Sequence, residues 1–162
     1  MKMKSFCLLF VLLFSVNCFS QFSKTHYIPP LSGSSSITSE DQFLYISTPN
    51  ITPVNIRIIE LGGNTILGTV SRDVPYVYNI GFGNDTQLHA DQSLASSVLN
   101  NKGYIIEADD LVYVSARVTA GNGNQAGELV SKGIASLGLR FRLGAFTNTL
   151  VNSYIEIGRA HV

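Results

Sequence analysis

A chain of 162 residues is long enough for one domain of ordinary size and too short for two comfortable ones. Eleven Lys+Arg balance eleven Asp+Glu, so there is no positive field to hold a phosphate backbone and no acidic tail, which argues against nucleic acid as a partner. Charged residues at 14% lie below the roughly 25% of an average globular protein, while a 45% apolar fraction and seven Tyr argue for a folded chain over a disordered one.

The first segment reads as an export signal. Lys2 and Lys4 supply a positive start, and Phe6 to Phe14 is a nine-residue apolar run, too short for a membrane span of about 20 residues. Small side chains at Cys18 and Ser20 place the cut between Ser20 and Gln21. In a competing reading Cys18 carries a lipid, although Ser15-Val16-Asn17 matches that motif poorly. Cys7 and Cys18 both precede the cut, so the exported chain is expected to lack disulfides and to rely on its core.

Residues 21–40 contain Pro29-Pro30, Gly33 and a run of serines and are expected to form a flexible leader. Strands are predicted next at Phe43–Ser47 and Val54–Ile58, where apolar and polar side chains alternate with period two. Leu61-Gly-Gly-Asn64 supplies a tight turn and Thr65–Val70 its returning strand. Further strands are predicted at Pro75–Ile80, Gln87–Ala90, Gly103–Glu107, Leu111–Val118 and Arg140–Phe146, with single helical turns within 91–100 and at Ile134–Leu137. In Leu111–Val118 the alternation turns Val112, Val114, Ala116 and Val118 to the core, leaving Leu111, Tyr113, Ser115 and Arg117 on the other face.

Short strands at roughly ten-residue spacing, with no long 3.6-residue period, predict an all-β antiparallel sandwich of the jelly-roll or Ig-like kind over residues 41–156. Thr119–Gly127 is glycine-rich and polar and is expected to be an exposed loop, making Gly121, Asn122, Gly123, Asn124 and Gln125 the candidate binding loop. The last six residues, Ile157 to Val162, read as translation of a sequencing adapter, so the natural chain is expected to continue differently after Glu156.

Sites with chemistry are sparse. Of the histidines, His26 falls in the leader and His89 in a short strand, neither in a nucleophile-elbow pattern, so no catalytic residue and no enzyme activity is predicted. No Cys or paired His stands at zinc-ligand spacing, and no cofactor motif is present. Glu107, Asp109 and Asp110 offer oxygens for calcium together with Asp85 or Asp91, against the plainer reading that Asp109-Asp110 is the turn between two strands. Tyr45, Tyr76, Tyr78, Tyr104 and Tyr113 would stack on sugars if several shared an exposed face; otherwise they are framework. Asn50-Ile-Thr52 and Asn84-Asp-Thr86 fit the N-glycosylation acceptor pattern.

The blocks DQFLYISTPN, TPVNIRIIE, VPYVYNIG, NKGYIIEADDLVYVSARV and LVSKGIASLGLRFRLGAF, spanning Asp41 to Phe146, resemble the N-terminal region of very large secreted surface proteins of gliding bacteria of the Bacteroidetes type. That region is described as similar to the N-terminal part of IgG Fc-binding protein. The resemblance is carried most by Lys102 to Ile106, Leu111 to Val114, Gly138 and Phe141. It implies a secreted β module followed by further domains of the same protein, with a surface glycan or protein as partner; Fc binding has no motif to carry over. Two roles follow as expectations. One is a non-catalytic adhesion or interaction module at the cell surface, and the other is the accessory β domain of a secreted polysaccharide- or protein-degrading hydrolase.

Overall fold

The computed structural model describes residues 21–33, 36–94 and 97–136. Residues 1–20, expected to be an export signal, the strand expected at 140–146 and the six terminal residues lie outside them. Among these residues nine strands follow one another: β1 Ser23–Ile28, β2 Leu31–Gly33, β3 Ser39–Ser47, β4 Val54–Glu60, β5 Thr65–Val70, β6 Tyr76–Gly81, β7 His89–Asp91, β8 Tyr104–Ala120 and β9 Gln125–Ser131. Two short 3₁₀ turns, Gln92–Leu94 and Gly133–Ser136, fall where helical turns are expected.

The spine is β8, whose 17 residues serve two wings. Its first half pairs antiparallel with β4, from Glu60 opposite Tyr104 to Ile56 opposite Ala108, and on its other side with β1. Its second half pairs with β3, from Ser47 opposite Tyr113 to Ser39 opposite Ala120, and with β9. With β5 beside β4 and β6 beside β3, the wings run β5-β4-β8-β1 and β6-β3-β8-β9. A small parallel pair, β2 with β7, stands apart.

Period-two burial explains why the wings close on each other. Leu44 and Ile46 of β3, Val54, Ile56 and Ile58 of β4, and Tyr104, Ile106, Val112, Val114 and Ala116 of β8 form one buried cluster. The two sheets thus share a single core, joined at a corner by one strand that belongs to both, as orthogonally packed sheets allow. The expected core face of Leu111–Val118 is the observed one, with Val118 packed against the cluster from its margin. At the corner the inward side of β8 opens to solvent, and there stands Asp110. Its carboxylate accepts the Asn50 amide at 2.7 Å and the Leu111 N–H at 2.8 Å, while Thr48 Oγ1 donates to the Leu111 carbonyl.

Three expectations are corrected. The leader is not free over its length, because Ser23–Ile28 forms β1 and Leu31–Gly33 forms β2, so the β domain begins near residue 23 rather than 41. Asp109-Asp110 is no turn between strands: Gly103–Glu107 and Leu111–Val118 lie in one continuous β8 that changes sheet there. The loop expected over Thr119–Gly127 shrinks to a tight turn, since Thr119 and Ala120 end β8 and Gln125 already opens β9.

Candidate functional site

The hairpin tip between β8 and β9 explains why so polar a stretch can turn so sharply. Gly121, Asn122 and Gly123 take φ of 63°, 58° and 75°, three successive left-handed residues whose N–H groups converge. Glu40 fills that nest: its carboxylate accepts the N–H of Asn122 at 2.6 Å and of Gly123 at 2.9 Å. The Asn124 amide donates back to the Gly121 carbonyl. Of the candidate loop, then, 121–124 is a turn closed by the chain's own anion, and Gln125, whose carboxamide lies beside Gly121, is the member that lines a cleft between the hairpin and β2.

That cleft encloses about 210 Å³. Leu31, Ile37, Leu88 and Val118 supply aliphatic wall, and Ser39, Gln42 and His89 supply polar floor. The floor is braced from behind. His89 Nδ1 lies 3.1 Å from Ser39 Oγ, and Asn84 Oδ1 accepts the Ser39 N–H. Thr86 Oγ1 donates to Gln42 Oε1, while Gln42 donates its amide to the Gly83 carbonyl. The Lys102 ammonium donates to the carbonyls of Thr86 and His89. Burial holds the His89 imidazole below its ordinary pKa, with the Lys102 charge acting the same way and Asp91 opposing it. In a Ser-His-acid triad the imidazole turns Nε2 to the serine; here Nδ1 faces Ser39.

His26 is fully buried, contrary to its expected place in a leader. It sits where β1 and β9 part from β8, with Nδ1 3.0 Å from Ser131 Oγ and Nε2 2.9 Å from the Val112 carbonyl and 3.2 Å from that of Ser23. Two carbonyls at Nε2 require the proton there, so Ser131 donates to Nδ1. Burial keeps the ring below its ordinary pKa, opposed by those hydrogen bonds.

The acidic residues considered for calcium are not gathered. Glu107 pairs with Arg57, Asp109 accepts the Asn55 amide at 2.7 Å, and Asp110 bonds Asn50 on the opposite side of the strand. Among the described residues no three His, Cys, Asp or Glu side chains are placed to share a metal ion. The acceptor asparagines are engaged as well, Asn50 with Asp110 and Asn84 with Ser39.

The tyrosines divide. Tyr104 is buried in the core, edge-on to Tyr78 with ring centres 6.2 Å apart. Tyr78 donates to Glu60 Oε1 at 2.9 Å, and burial with that carboxylate pushes its pKa up to about 12. Tyr76 lies over Gly68 of β5. Tyr45 and Tyr113, by contrast, share the outward face of the second wing. Register sets Val77, Tyr45, Ser115 and Val130 in one row across β6, β3, β8 and β9, and Asn79, Phe43, Arg117 and Glu128 in the next. Phe43 and Tyr45 have ring centres 6.0 Å apart, and Phe22 reaches Tyr113 at 6.2 Å. Tyr45 and Val77 are 37% and 51% exposed, so an aromatic platform edged by Arg117 and Glu128 faces outward. The outward face of the first wing differs, carrying Asn55, Arg57, Glu107 and Asp109 already tied to one another. Phe43 and Phe22 were not among the residues singled out from sequence, although Phe43 lies two residues from Tyr45 and so on its face.

No helix among the described residues is long and apolar enough to cross a membrane. Comparison with known protein families, with characterised proteins and with solved structures finds no match for the chain.

Proposed function

We propose that the chain is a non-catalytic extracellular interaction module of a larger secreted surface protein, reading a glycan or protein surface through the aromatic face of its second wing. The observation that supports this is the grouping of Phe43, Tyr45, Tyr113 and Phe22 on one outward sheet face. A framework tyrosine has its ring covered; this face leaves Tyr45 and Val77 in solvent beside a guanidinium and a carboxylate, the mixture of stacking and hydrogen-bonding groups that sugar rings and protein surfaces both engage. The basic and apolar N-terminal residues and the resemblance to secreted surface proteins agree with that role.

The test is binding of the secreted chain to arrayed glycans and to intact cell surfaces, repeated with Tyr45→Ala and Tyr113→Ala. Each loss of a stacking ring is expected to weaken binding about three- to tenfold, from about 0.5–1.5 kcal/mol per aromatic contact. A blank array and bare cells with the wild-type chain, or equal binding by the double variant, would overturn this reading.

A further inference from the structure

We propose that the cleft between the β8–β9 hairpin and β2, on the opposite side of the second wing from the aromatic platform, is a separate subsite for one neutral monosaccharide residue, the end unit of a glycan. Its lining sets the chemistry. Among the described residues no Lys, Arg, Asp or Glu side chain lines it, so an ionised ligand would lose water there with no opposite charge among them to replace it. Among the same residues no aromatic ring apart from the His89 imidazole lines it either, so they offer no stacking platform for a nucleobase. What it offers is aliphatic wall from Leu31, Leu88 and Val118 for the C–H face of a pyranose, and polar groups at floor and mouth for its hydroxyls.

The mouth group is Gln125. Among the described residues its carboxamide forms no side-chain hydrogen bond, although the neighbouring Asn122, Gly123 and Asn124 are all engaged within the hairpin or with Glu40. The floor is rigid because Ser39, Gln42 and Thr86 hold His89 in place. The volume is set by two glycines. A Cβ on Gly33 would stand 2.8 Å from His89 Cε1, and one on Gly127 would stand 3.3 Å from Val118 Cγ1, so side chains at either position would take up the space. At about 210 Å³ the cleft is smaller than the roughly 300–1,000 Å³ of drug-sized pockets, and fits a single ring rather than a chain of them.

Saturation-transfer NMR on the full secreted chain tests this, with glucose, N-acetylglucosamine and fucose as neutral probes, glucuronate and glucosamine as charged ones, and N-acetyl-leucine amide as the peptide counterpart. Transfer to a neutral sugar is expected, with none to the charged sugars. Gly127→Val is expected to abolish it, and Gln125→Ala, at the exposed mouth where folding is not at stake, to weaken the titrated affinity about fivefold through one lost hydrogen bond. Tyr45→Ala should leave it unchanged, which separates this subsite from the aromatic face: either can fail while the other stands. The proposal is overturned if no neutral sugar shows transfer, if glucuronate or the leucine amide matches it, or if affinity is unaltered by Gln125→Ala.

Discussion

His26 shows how much one side chain can hold when three strands meet. At the fork where β1 and β9 leave β8, its ring joins the Val112 carbonyl of the spine to the Ser131 hydroxyl of β9, and Gly133 N–H closes on that same hydroxyl. Replacing it by Ala leaves a void and takes a hydrogen-bond partner from the buried Val112 carbonyl and Ser131 hydroxyl, and the expected cost is about 2–4 kcal/mol in denaturant unfolding. The ring also makes stability depend on acidity. Its pKa in the folded chain lies below the ordinary 6.5, as does that of His89, so on acidification the unfolded chain takes up protons that the folded one refuses. Stability from these groups is fully present above about pH 6.5 and is lost as the pH falls from there through the lower folded values. Urea midpoints measured from pH 8 to 5 should decline below about 6.5, and less steeply in a His26→Gln variant. None of this was legible in SKTHYI, which is flanked by Pro and Ser and shows no clean alternation; the partners that make it a strand lie more than 75 residues away.

At the scale of elements, the strands that read most clearly were those with strict alternation. Val54–Ile58 and Thr65–Val70 stand where period two and the Gly-Gly-Asn turn place them, with Gly62 at φ 81°. The unity of β8 was hidden because Ala108-Asp-Asp-Leu111 looks like a break when each strand is assumed to serve one sheet. The side-chain phase runs through it unbroken, with Tyr104, Ile106, Val112 and Val114 all inward, and that phase was the available signal. The hairpin loop was overestimated for a related reason: glycine and asparagine mark a turn but do not say how short it is, and Glu40, 82 residues before Asn122, tightens it. Of the candidate binding residues only Gln125 lines the cleft, which the sequence did not reveal because its floor of Ser39 and His89 comes together across 50 residues. The far edges of the wings depend on another glycine. The ring of Tyr76 in β6 occupies the space a side chain at Gly68 in β5 would need, with Cε2 at 2.5 Å from a Cβ there. Gly68→Val should cost about 1–3 kcal/mol by overpacking, read as a lower thermal midpoint, and part of that loss should return when Tyr76→Ala is added.

For the whole molecule, a core shared by both wings through one strand implies one cooperative unit. Circular dichroism and tyrosine fluorescence should report the same unfolding midpoint, and backbone amides of β3 and β4 should exchange with the same free energy of opening. Ile106→Ala, at a fully buried position on the spine, should lower both wings together by about 2–5 kcal/mol; loss confined to the first wing would show that the wings are independent. The fold class and the core faces were the parts readable from the chain, because apolar phase records which side is buried. Which sheet a strand joins is decided by long-range pairing, on which the phase is silent.

The position of the spine after β1, β3 and β4 also governs the order of events during synthesis. β1, β3 and β4 are all translated before Tyr104, yet each finds a hydrogen-bonding neighbour in β8. While the polypeptide is being made, the described residues before Tyr104 have the β4–β5 hairpin and the β3–β6 and β2–β7 pairings to settle into. Closure of the domain must await the arrival of the seventeen residues that bind the pieces together. A nascent chain built this way stays open and threadable until β8 has left the ribosome.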